Sequence, residues 1–118
     1  MHDYHAIEAL VERLTSELDD RALERIAEVR IRASPVYSPE ALEQAYAMLV
    51  RETALEGSRL RVEELPDERE CPSCGGSWLV SRDDLAGHLL VCPSCGALSG
   101  VEGGAGIEVV AVTAGPRP

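Results

Sequence analysis

The chain has 118 residues, a formal net charge of −10, no Phe, and only one Trp and three Tyr. That length allows one small domain, or one small domain with a stapled sub-module, built on a thin core. The acidic balance argues against nucleic acid, which needs clustered cations to displace counterions, and the absence of any apolar run near the ~20 residues of a bilayer span argues against a membrane.

The first stretch, "MHDYHAIEALVERL", sets His2, Asp3 and His5 ahead of an apolar stripe at Tyr4, Ile7, Leu10, Val11, Leu14 and Leu18. Intervals of three and four predict an amphipathic helix, with Asp3 as its N-cap and an end near Asp19 or Asp20. The terminus is itself a chelating group. The α-amine of Met1 with the amide nitrogen and Nδ1 of His2 would close five- and six-membered rings in one plane, a donor set that suits Ni(II) or Cu(II) better than Zn(II). A fourth donor would come from Asp3, His5, His88 or an incoming ligand. The competing reading is a frayed, solvated terminus.

Alternation from about Arg25 to Ala33 predicts a strand with Val29 and Ile31 inward, stopped by Pro35. In "YSPEALEQAYAMLVRET", Ser38 and Pro39 form an N-cap and first-turn pair for a second helix, which buries Leu42, Ala45, Tyr46 and Leu49. Gly57 marks the turn after it. "SRLRVEELP" alternates again, with Leu60 and Val62 opposite Arg61 and Glu63.

"CPSCGGSWLVSRDDLAGHLLVCPSCG" carries Cys71, Cys74, Cys92 and Cys95 as two C-x-x-C pairs, the spacing of a zinc ribbon. No basic and apolar leader opens the sequence, so a reducing, cytoplasmic location is expected, where four cysteines point to metal rather than disulfides. Gly75 and Gly96 would supply the positive φ that turns backbone amides toward the sulfurs. Four thiolates leave no open position, so the zinc would be structural and its binding coupled to folding. A redox pair or an iron–sulfur cluster are the alternatives.

A glycine-rich connector, including Gly103–Gly106, would allow the cysteine module to move. The closing strand "IEVVAVT" loses strict alternation at Val109 and Val110, which predicts burial on both faces. That strand must return to the earlier sheet, making the cysteine module an insertion. The expected fold class is α+β: two helices packed on a three-stranded mixed sheet, with an inserted four-cysteine zinc-ribbon module. No nucleophile–base pair, phosphate loop or open metal site marks an enzyme.

Taken in order, "MHDYHAIEALVERL", "VRIRASPVYSPEALEQAY", "LEGSRLRVEELP" and the paired C-x-x-C motifs resemble the HypA family, nickel-insertion accessory proteins of [NiFe]-hydrogenase maturation. The resemblance implies a nickel-binding α/β domain over residues 1–69, completed by a strand at 106–114, and a zinc-ribbon domain over 70–100. It implies Ni(II) as cargo at Met1 and His2, with Asp3 where the family usually has Glu, and Zn(II) on Cys71, Cys74, Cys92 and Cys95. The implied partners are a nickel-handling accessory GTPase and a hydrogenase large-subunit precursor, with a homodimer left open. Delivery to urease and a zinc-ribbon adaptor with an inert terminus are the rival readings.

Overall fold

A computed structural model describes residues 2–101 and 106–117, with side chains from Asp3 onward. The first helix, α1, spans His2–Glu17 and buries Ile7, Leu10, Val11 and Leu14. Asp3 lies inside its first turn rather than capping it, so the expected cap is displaced. The Asp3 carboxylate instead accepts the backbone N–H of Ser38 at 3.3 Å. The helix also ends earlier than expected. Asp19, read from sequence as part of its end, caps a separate five-residue helix, α2 (Asp20–Glu24), by accepting the Ala22 N–H at 2.9 Å.

The strand β1 (Ile26–Ala33) follows, with Val29 and Ile31 fully buried, and Ser38 caps α3 (Pro39–Leu49) by accepting the N–H of Ala41. Strand β2 (Arg59–Glu64) runs parallel to β1, and β8 (Ile107–Ala114) runs antiparallel on its other side. The sheet is therefore mixed, in the order β2-β1-β8, with the helices on one face. Among the described residues, fifteen buried apolar side chains, including Leu42, Tyr46 and Leu55, form the core between them.

The strand β8 corrects the expectation of burial on both faces. It is an edge strand without a buried residue, and Val109, Val110 and Val112 are each about two-fifths exposed. The consecutive valines mark a bulge: Arg30 pairs with Ala111 and Ile31 with Val109, which leaves Val110 as the extra residue. Just past β8, Arg117 donates to four backbone carbonyls, those of Leu23, Ile26, Ala54 and Glu56, at 2.6–2.9 Å. One guanidinium thus ties the chain end to α2, β1 and the turn before β2.

Between β2 and β8 lie five short strands: β3 (Glu68–Glu70), β4 (Ser77–Leu79), β5 (Leu85–Ala86), β6 (Leu89–Val91) and β7 (Leu98–Gly100). They form a β3-β4 hairpin and a β5-β6-β7 sheet. Their small core is Val80 and Leu90 with Val36, which arrives from the β1–α3 loop. A buried polar clamp lies at the same junction. Asp67 accepts the Ser34 hydroxyl, its carboxylate meets the Arg69 guanidinium at 2.9 and 3.0 Å, and Arg69 reaches the Val101 carbonyl at 2.7 Å. Among the described residues, no helix is long and apolar enough to cross a membrane.

Candidate metal centres

The two cysteine pairs fold as copies of one turn. The Gly75 N–H bonds the Cys71 carbonyl and the Gly96 N–H bonds the Cys92 carbonyl, each at 2.8 Å. The return bonds run from Cys71 N–H to the Gly76 carbonyl and from Cys92 N–H to the Ala97 carbonyl. Gly75 and Gly96 stand at φ of 74° and 76°, where a side chain would be strained, so each turn needs its glycine. The two turns face each other and bring all four sulfurs within 4.8 Å of one another. Cys71 lies 3.7 Å from Cys95, and Cys74 lies 3.8 Å from Cys92.

Those separations fit zinc. Four bonds of about 2.3 Å in a tetrahedron set sulfurs about 3.8 Å apart. The backbone supplies part of the needed charge compensation. The Cys74 and Ser73 N–H groups hold the Cys71 thiol down to about 7, and the Cys95 and Ser94 N–H groups lower that of Cys92. At Cys95 the Ala97 N–H favours the thiolate, but burial and the three neighbouring sulfurs outweigh it and push the thiol up to about 12. Four thiolates at this spacing repel one another, and a divalent cation at their centre resolves that conflict. With every sulfur directed inward, the cluster is a closed structural site.

The family model for hydrogenase/urease nickel incorporation metallochaperones, HypA, matches residues 1–114. The chain belongs to the HypA family. A hydrogenase maturation factor HypA of Geobacter metallireducens is 41% identical over 59 residues, about half of each chain. That of Methanothermobacter thermautotrophicus is 29% identical over 100 residues, 81% of both. The solution structure of the Ni metallochaperone HypA from Helicobacter pylori superimposes with a TM-score of 0.56 at 14% identity, covering 95% of this chain and 96% of that one, and so supports the fold.

The amino-terminal residues expected to carry nickel are only partly visible. Met1 and the His2 side chain lie outside the described residues, as do three of the four glycine-rich connector positions, residues 103–105. His2 begins α1. Asp3, half-buried, lines a cleft of about 250 Å³ with Tyr37, Ser38, Arg82, Leu85 and His88. Burial and then the Asp3 carboxylate raise the Tyr37 hydroxyl pKa, consistent with their proximity. His88 thus lines the same cleft as Asp3, whereas His5 is exposed and pairs with Glu8 at 3.6 Å. Nothing in the sequence marks Ser38 as a tether for Asp3, because the contact spans 35 residues and Ser38 already reads as a helix cap.

Proposed function

We propose that this member of the HypA family binds Ni(II) at its amino terminus and delivers it during maturation of [NiFe]-hydrogenase. The proposed donors are the Met1 amine and the His2 amide and imidazole, with Cys71, Cys74, Cys92 and Cys95 holding zinc. In this reading residues 1–69 with 106–114 form the nickel-handling domain and residues 70–100 the zinc ribbon. The observation that supports it is the cleft that both Asp3, in the first turn of α1, and His88 line.

Asp3 is held toward Ser38 by its hydrogen bond, which ties the first turn of α1 to the start of α3. His88, in the turn between β5 and β6, brings an imidazole to the same cleft, a fitting fourth donor for a square-planar ion. Nickel in such a site is held on an open edge. An acceptor can displace the imidazole first, so transfer proceeds ligand by ligand rather than by release to water. The expected recipients of this exchange are a nickel-handling accessory GTPase and the hydrogenase large-subunit precursor.

The test is native mass spectrometry of zinc-loaded protein with an authentic Met1, titrated with Ni(II) beside His2→Ala and His88→Ala. One nickel gained by the parent and lost in His2→Ala, with zinc kept in both, is the expected result. Equal uptake by parent and His2→Ala would move the site off the terminus. In a parallel visible-absorption titration, loss of the planar d–d band in His88→Ala, with residual binding, would mark His88 as the fourth donor.

A further inference from the structure

On the face of the β2-β1-β8 sheet turned away from the helices, Arg59, Arg61 and Glu108 are exposed and the charges are unevenly matched. Pairing places Arg59 beside Glu28, Arg61 beside Arg30, and Glu63 beside Arg32. On the other flank of β1 stand Thr113, Ala111 and Glu108 in the same three rows. The face thus holds four of the eleven arginines against three glutamates, in a chain whose net charge is −10.

The middle row is the conflict. Arg61 and Arg30 lie abreast on adjacent strands about 4.8 Å apart, and Ala111 completes the row without a carboxylate. Like charges directly across a strand pair destabilise a sheet. Glu63 relieves the pair poorly, since its Oε2 is 3.8 Å from Arg30 Nε, beyond a hydrogen bond. That Nε is buried without a hydrogen-bond partner among the described residues. Arg32 is drawn toward Glu108 at 3.9 Å. Arg59 and Arg61, both exposed, form no ion pair among the described residues.

We infer that this open sheet face docks an acidic segment of a partner protein, with one carboxylate seated between Arg30 and Arg61. Two arginines abreast on neighbouring strands can both donate N–H bonds to a single carboxylate, which would remove their mutual repulsion on binding. The free face then carries a cost that Glu63 relieves only in part and a docked carboxylate would relieve further. A polyphosphate backbone is a poorer match, because it needs many cations in a row and meets the repulsion of the rest of this acidic chain. The adjoining cavity of about 590 Å³ beside β2 is lined by Glu28 and Glu43 as well as Arg59 and Arg61, so its charge is balanced and the carboxylate belongs on the sheet face. This inference is independent of where nickel binds.

The experiment uses full-length, zinc-loaded, ¹⁵N-labelled protein. The probe is a capped octapeptide of alternating Glu and Ser, with a Gln-for-Glu peptide as control. Saturable amide shifts confined to residues 28–32, 59–63 and 108–113 are expected, with affinity falling as salt rises. In Arg61→Glu the affinity should fall by about tenfold or more, while the protein melts at a higher temperature because a repelling pair has become an attracting one. Arg61→Gln should show both changes in smaller degree, and Arg13→Glu on α1 neither. Equal binding of the Gln peptide, unchanged affinity in Arg61→Glu, or a lowered melting temperature in that variant would overturn the inference. So would tighter binding of a double-stranded oligonucleotide or of phosphatidylserine vesicles than of the peptide.

Discussion

Two parts of this molecule reach order by different means. Between the helices and the β2-β1-β8 sheet, fifteen apolar side chains among the described residues are buried against one another. Among the five short cysteine strands the corresponding cluster has three members among the described residues, and one of them, Val36, is on loan from the β1–α3 loop. The first part has a core that can hold itself. In the second, strands of two and three residues gather around a metal centre, and metal takes over the work that apolar burial does elsewhere.

That contrast can be broken most forcefully at the zinc. Cys92→Ser, or chelation, should remove structural zinc binding, a term of about 10–16 kcal/mol in comparable peptides. Amide resonances of residues 68–100 should then lose dispersion while those of α1, α3 and β1 keep it. Collapse of both sets together would mean that the two parts fold as one unit. The same site should respond to acid. Zinc must displace a proton from Cys95, raised to about 12, at any ordinary pH, and from Cys71 increasingly below about 7. Zinc affinity should therefore fall as pH falls, more steeply below about 7 than above, as measured by competition with a chromophoric chelator.

The junction comes next. Arg69→Ala leaves the Asp67 carboxylate, 2% exposed, without its guanidinium. Orphaning a buried charge of this kind costs about 3–5 kcal/mol, and urea unfolding should register it. Adding Asp67→Asn should recover part of the loss. Leu42→Ala, at a fully buried position in the apolar part, should cost about 2–5 kcal/mol without altering zinc content. Val36→Ala is the smallest and the most discriminating change. It removes two buried methylene equivalents, about 1.5 kcal/mol, and should shift the amides of Val80 and Leu90 across the junction.

What the sequence made legible follows from how local each signal was. The stripes of α1 and α3, the Ser38–Pro39 start and the paired C-x-x-C turns are short-range patterns, and the structure bears each of them out. The helix α2 escaped because five residues are too few for a periodicity. Its cap, Asp19, sat where the preceding helix was expected to end. In β8 the blurred alternation was real but had a different cause, a bulge at Val110 on an edge strand rather than burial on two faces. The Ser34–Asp67–Arg69 clamp and the Asp3–Ser38 contact join residues more than thirty positions apart, and nothing in the adjacent sequence announces them.

The antiparallel partner of β1 is β8, which follows every other strand in the sequence, and this sets an order of events on the ribosome. As the nascent chain emerges, α1, β1, α3 and β2 can assemble, and the cysteine strands, contiguous in sequence, can close around zinc. Throughout that interval the outer edge of β1 has no partner, since β8 emerges only after them. An unpaired edge next to Val29 and Ile31 invites pairing with another chain. Arg117, grasping four carbonyls from three parts of the molecule, is then the final latch. A stalled or truncated product ending near residue 101 would hold its zinc and still lack a third of its sheet, a chain prone to aggregate for want of one strand.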